Sequence, residues 1–234
     1  MSPTSVPGNP PAKNPPIPLA TAQRWADAIV RELTPLCARL EVAGSVRRRR
    51  PQCHDIDIVC IPIREESKDL FGAPASADNR VLEWARAYVA RAAGPCPGPG
   101  EQTPRIISGG ERAGKQLLLQ LRSCQLDLWF ADEPNFASRL LCRTGSKEHN
   151  IWLASRCAAR GLHWFPYEGI SSMSALRERQ INPLSQGAAE AAAAAGLILP
   201  AGAEADLYGY TGMEFVVPEN RELPWLQKNI YAEL

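Results

Sequence analysis

Apolar residues begin to recur at three- and four-residue spacing from Leu19 onward, at Ala22, Trp25, Ala26, Ile29, Val30 and Leu33. That is the period of an amphipathic helix, and Pro35 predicts its end. A short apolar stretch, Leu40-Glu41-Val42-Ala43, precedes Gly44-Ser45 and the arginines Arg47, Arg48, Arg49 and Arg50. Residues 55–61 alternate as a strand does, with β-branched side chains at every second position. Residues 79–92 repeat the helical period, whereas residues 94–104 hold so much Gly and Pro that a loop is expected. Ile106-Ile107 and residues 117–121 predict strands on either side of a polar tip, Gly109-Gly110-Glu111-Arg112. Residues 125–130 predict a third strand, after the break at Arg122-Ser123. Ser146 is suited to cap a helix running to about Arg160 and stopping at Gly161. The Ala-rich residues 187–196 predict a helix, although alanine alone defines no packing face. From Leu207 the pattern is mixed and ends as Pro-bearing coil, and no internal repeat is present. Residues 1–18, rich in Pro, Ser and Asn, read as a disordered leader.

Composition narrows the class without naming it. Apolar content of 45% and charged content of 22% are ordinary for a globular chain of 234 residues. No apolar run approaches the roughly 20 residues that cross a bilayer, and no cationic start with an apolar block marks a secretory signal. An intracellular protein of cytoplasm or nucleoid, with no membrane partner, is expected. The seven cysteines are scattered without a C-x-x-C pair, which argues against a disulfide framework or a zinc knuckle. Net charge is only +1, yet residues 1–163 carry 22 Lys+Arg against 16 Asp+Glu, and residues 164–234 carry 4 against 9. A basic larger part followed by an acidic one is compatible with a bound polyanion.

The candidate chemistry lies in the strands. Asp55 and Asp57 are two apart on one predicted strand, so their carboxylates leave the same face while Ile56 and Ile58 turn to the core. Adjacent carboxylates in an apolar strand repel unless a cation lies between them, and Mg²⁺ is the natural partner of such oxygens. Asp127 has the same placement between Leu126 and Leu128; if the strands are neighbours, three carboxylates converge, enough to hold two metals for phosphoryl transfer. Gly44, Ser45, Arg47 and Arg48 add a phosphate cradle beside them, with backbone and hydroxyl donors and cationic charge. Trp129 and Trp152 read as core aromatics or, less commonly for such positions, as base-stacking platforms, and His149 as a surface or capping residue.

In order along the chain, Gly44-Ser45-Val46-Arg47-Arg48 and Asp55-Ile56-Asp57 resemble the nucleotidyltransferase signature of family X DNA polymerases, the family of DNA polymerase beta. Leu126-Asp127-Leu128 resembles that family's third-aspartate strand. Thr144-Gly145-Ser146-Lys147-Glu148-His149-Asn150 is similar to its Thr-Gly-Ser segment, and Pro218-Glu219-Asn220-Arg221-Glu222 to its near-terminal Pro-Glu-x-Arg-Glu. The resemblance spans about residues 19–228. It implies an α+β fold: a nucleotidyltransferase palm over residues 19–140, with a mixed sheet and helices on one side, then a small α/β nucleotide-binding part over residues 141–234. By the same resemblance Asp55, Asp57 and Asp127 would be catalytic and would bind two Mg²⁺ ions, with Mn²⁺ able to substitute. Gly44, Ser45 and Arg48 would hold the triphosphate, and Thr144, Gly145 and Asn150 the sugar and base. A monomeric DNA-directed DNA polymerase is implied, adding dNTPs to a primer 3′-hydroxyl on primer–template or gapped DNA in short-gap repair. The alternative is a template-independent transferase acting on a nucleic-acid end or another acceptor. Two departures stand out: Cys142-Arg143 occupies the place of the family's aromatic residues, so weak rejection of ribonucleotides is expected; and residues 1–18 are too few for the N-terminal lyase domain of beta-type enzymes.

Overall fold

The computed structural model describes residues 15–68, 74–92, 101–109 and 114–229. The expected polar tip at 110–112 and the loop over 94–100 lie outside these residues, as does the leader up to residue 14.

A five-stranded sheet organises the first part of the chain, in the order β2 (Cys37–Val42), β4 (Asp55–Pro62), β9 (Gln125–Phe130), β8 (Gln116–Gln120), β7 (Arg105–Ser108). Only β4 and β9 pair in parallel; the other neighbours are antiparallel, which makes the sheet mixed. Ile56, Ile58 and Cys60 alternate with Leu126, Leu128 and Phe130, and with Leu117 and Leu119, to form one apolar face. Helices α1 (Leu19–Leu33) and α3 (Arg80–Ala92) cover that face with Ala22, Ala26, Ile29 and Leu33 and with Val81, Leu82 and Ala85. Cutting fully buried Leu33 back to Ala would cost about 2–5 kcal/mol. Asn79 starts α3 by accepting the backbone N–H of Val81 at 3.0 Å.

Several short elements depart from the sequence expectation. Ile17–Pro18 is a strand, β1, paired with β3 (Gln52–Cys53), and Ile17 is buried, so the leader ends before it. The Gly44-Ser45 segment opens a one-turn helix, α2 (Gly44–Arg47). A hairpin of β5 (Arg64–Lys68) and β6 (Pro74–Asn79) lies where hydrophobic alternation gives no signal.

The second core forms around α4 (Phe136–Thr144) and α5 (Lys147–Ala159), with Leu141, Trp152, Leu153, Cys157, Leu207 and Tyr208. The hairpin of β10 (Leu162–Phe165) and β11 (Gly169–Ser172) packs beside it, followed by α6 (Met173–Glu178). Helix α7 (Ala188–Ala194) does have a face: Ala188 and Ala192, one turn apart, pack on Phe165 and Leu176. Beyond Pro200 come α8 (Glu204–Thr211), in a stretch where the sequence pattern defined no element, and α9 (Leu223–Asn229), where Pro-bearing coil was expected. Helix α4 bridges both parts, giving Phe136 and Leu140 to the sheet's second face and Ala137 and Leu141 to the C-terminal core. No helix among the described residues is long and apolar enough to cross a membrane.

Candidate active site on the open face of the sheet

The parallel register of β4 and β9 sets Asp57 directly beside Asp127 and Asp55 beside Gln125. Alternation then sends all three carboxylates to the face away from α1 and α3. Asp57 Oδ1 accepts a hydrogen bond from Trp129 Nε1 at 3.2 Å, and Asp127 Oδ1 accepts one from Gln125 Nε2 at 2.6 Å. Burial raises Asp57, and the charges of Asp55 and Asp127 push it further, up to about 7. Burial raises Asp127 against the lowering effect of the Gln125 bond, and raises Asp55 against His54 and Arg48. The arrangement penalises full ionisation and so favours any cation that relieves it. Among the described residues no three His, Cys, Asp or Glu side chains are gathered into a ready-made ligand set; the carboxylates brought together in register are Asp57 and Asp127.

Gly44 presses on the same aspartate. Its φ is +59°, and a Cβ added there would lie 2.0 Å from Asp57 Oδ2, so both backbone conformation and space require glycine. Ser45, the next residue along the chain, has its hydroxyl buried with no hydrogen-bond partner among the described residues, a donor left free.

The arginine run turns toward the C-terminal core. Arg47 donates to Thr144 Oγ1 and to Glu204 Oε2, both at 2.7 Å. Arg48 pairs with Glu222 at 2.6 Å and donates to the Thr144 carbonyl. Arg49 meets Glu219, and Arg50 meets Glu222, each at 3.0 Å. Arg221, fully buried, completes the set by donating to Glu204 Oε1 at 2.8 Å. Burial alone would raise Glu204, but Arg47 and Arg221 together hold it below the usual carboxylate range. Thr144 and Gly145 are thereby pinned to the Gly44–Arg48 segment. Asn150, on the first turns of α5, donates through Nδ2 to the Cys142 carbonyl at 2.9 Å.

Residues 139–222 match the family model of the DNA polymerase beta thumb. Among solved structures, Leishmania infantum polymerase beta in its ternary P/T complex superposes with a TM-score of 0.56 at 18% identity, over 90% of this chain and 78% of that one. The same enzyme's ternary gap complex gives 0.54 at 19% identity, over 89% of this chain and 71% of that one. The fold is polymerase-beta-like. No curated protein matches the chain by sequence.

On this polymerase-beta-like frame, side chains that the sequence pattern did not place beside the acids join the site. Trp129 is no simple core aromatic, since its indole N–H holds Asp57. The Arg143 guanidinium carbon lies 3.1 Å from the Trp129 ring centroid and 4.9 Å from that of Tyr167. The clue was position: Trp129 follows Asp127 by two residues, on the same strand face. His149 corrects an expectation outright. It is fully buried, with Nε2 2.6 Å from the Tyr208 hydroxyl, and burial first and Arg221 second lower its pKa to about 3. The expected cap at Ser146 does accept the His149 N–H, at 3.3 Å, but the ring itself fills the core between Trp152 and Tyr208. Arg48, which the resemblance assigns to the triphosphate, engages Glu222 and the Thr144 carbonyl.

Proposed function

We propose that the chain is a family X DNA polymerase, a monomer that extends a primer 3′-hydroxyl by nucleotidyl transfer on gapped DNA or primer–template. The reading is supported above all by one observation: parallel pairing sets Asp57 beside Asp127 on the sheet face away from α1 and α3, with Gly44 directly against Asp57. Residues 19–140 act as the catalytic palm and residues 141–234 as the part that receives the nucleotide.

The donor chemistry fits divalent ions, because the acids present only oxygen ligands and burial keeps their pKa values raised even with Arg143 and Arg48 nearby. Asp55, Asp57 and Asp127 would hold two Mg²⁺ ions, or Mn²⁺, whose charge would offset the phosphates and ease ionisation of the attacking hydroxyl. Asp127 accepts the proton that the primer 3′-hydroxyl loses. The 3′-oxygen forms a bond to the α-phosphorus of the dNTP, and the bond to pyrophosphate breaks. Ser45 donates its free hydroxyl to the triphosphate. Arg47 and Arg48 act by fixing Thr144, so that Thr144, Gly145 and Asn150 border the sugar and base.

DNA carrying a one-nucleotide gap, Mg²⁺ and single dNTPs make the test. Incorporation of only the complementary nucleotide, lost by about 10³-fold or more in Asp57→Asn and Asp127→Asn, is the expected result. Untemplated tailing would instead establish a template-independent transferase. Absence of any transfer, or substantial turnover by either variant, would refute the reading.

A further inference from the structure

Arg143 lies in the last turn of α4 near the carboxylates, yet among the described residues no acid pairs with it directly. Trp129 and Tyr167 lie nearly parallel, 13° apart in plane with centroids separated by 6.4 Å, and the guanidinium rests against both rings. Its Nε is buried with no hydrogen-bond partner among the described residues. The Trp129 ring that carries this cation donates its N–H to Asp57 Oδ1, and Asp127 is Asp57's partner across β4 and β9. A permanent positive charge is therefore stationed one ring away from the acids, seated by aromatic faces. That seat keeps its charge near the carboxylates without filling their oxygens.

We propose that Arg143, seated on Trp129 and Tyr167, is a built-in counter-ion of the Asp57–Asp127 pair, and that divalent cations bind those carboxylates in competition with it. The inference rests on the reading of the aspartates as a metal site. In the absence of metal the guanidinium offsets part of the repulsion between the acids. An arriving divalent ion meets a like charge at short range in a partly buried site, where such repulsion is weakly screened. Arg143 thus sets the metal affinity of the free protein, and the ion shifts the guanidinium on the indole as it binds.

Mn²⁺ binding to the protein without DNA or nucleotide, followed by the electron-spin signal of the free ion, tests this apart from any activity. Arg143→Met should tighten Mn²⁺ about tenfold, while Arg143→Lys, which keeps the charge, should stay within about threefold of the parent. Unchanged or weaker binding by Arg143→Met overturns the proposal, and so does an equal gain in both variants, which would make the effect one of shape. Mg²⁺ titration of the unaltered protein gives a second measurement that needs no Arg143 variant. A change in tryptophan emission that disappears in Trp129→Phe supports the competition, and its absence from the unaltered protein overturns it. Asp57→Asn separates the two levels. If it leaves Mn²⁺ binding intact, the carboxylate site fails and the proposal with it; if it abolishes binding while Arg143→Met has no effect, only the counter-ion role fails.

Discussion

Asp57→Asn should stabilise the protein in metal-free buffer, and by clearly more at pH 8 than at pH 5. Asp57 titrates near 3.8 when free of the fold and at about 7 within it, because burial and the neighbouring Asp55 and Asp127 disfavour its charge. Between those values the folded protein keeps a proton on Asp57 that the unfolded chain has released. Folding stability must then fall as pH rises from about 4 to about 7, and the loss is complete above 7. A difference of roughly three pKa units corresponds to about 4 kcal/mol at most. Asparagine is neutral at every pH, and its side-chain oxygen can accept the Trp129 N–H as the carboxylate does. At pH 8 the variant is expected to gain about 2–4 kcal/mol over the parent, and each kcal/mol raises Tm by roughly 2–4 °C in a chain of this size. Thermal unfolding followed by circular dichroism in EDTA, at pH 5 and pH 8, is the assay. Added Mg²⁺ should narrow the gap at pH 8 by stabilising only the parent. A Tm difference that is equal at the two pH values, or a less stable variant at pH 8, would show that the site does not penalise its own ionisation.

Four further outcomes test other parts of the structure. Glu204→Ala should cost about 3–5 kcal/mol in urea unfolding, because it strands fully buried Arg221. His149 should stay neutral down to pH 4 by NMR; since its folded pKa of about 3 lies below the unfolded value, it withdraws stability as pH falls below about 6.5, opposite in sign to Asp57. Ser45→Ala should leave Tm nearly unchanged yet raise the nucleotide KM about 10- to 100-fold, the worth of a hydrogen bond to a charged group; an unchanged KM would remove Ser45 from the triphosphate site. Incorporation of rATP opposite template T should be rejected less strongly by the parent than by Cys142→Tyr, since cysteine leaves the sugar uncrowded; strong rejection by the parent would show that backbone groups exclude the 2′-hydroxyl.

The sheet was legible because its strands obey one simple alternation. Ile56, Ile58, Leu126 and Leu128 mark the buried face, and the aspartates between them mark the other. What sequence could not supply was that β4 and β9 are neighbours, since a parallel pair joins segments about 70 residues apart and leaves no local trace. The C-terminal helices were missed for a different reason. α8 has almost no apolar stripe, and it is held by the ion pair of Glu204 with Arg47 and Arg221 and by single buried residues such as Leu207 and Tyr208. His149 was misjudged because a polar residue in a capped first turn usually faces solvent, while here Tyr208 supplies the partner that lets the ring be buried.

The two charged motifs, separated by most of the chain, explain each other. The sequence shows Arg47 and Arg48 as part of a phosphate cradle followed by Arg49 and Arg50, and Glu219, Arg221 and Glu222 as a near-terminal motif, with nothing to link the two. In the fold Arg49 meets Glu219, Arg48 and Arg50 share Glu222, and Arg47 and Arg221 share Glu204. The basic surplus of the first part and the acidic surplus of the second are thus drawn together at this junction. Thr144 is caught inside the junction, with its hydroxyl bound to Arg47 and its carbonyl to Arg48. The distance between the carboxylates and the start of α5 is consequently set by charge pairs as well as by the apolar residues of α4. Their burial decides which of them matter. The Arg49 side chain is 73% exposed, so its pair is worth little, whereas the Glu204–Arg221 pair lies in the core and cannot be broken without leaving a buried charge. The junction is therefore held chiefly by the inner pairs, and the placement of Thr144 depends on Glu204 through the Arg47 that both of them engage.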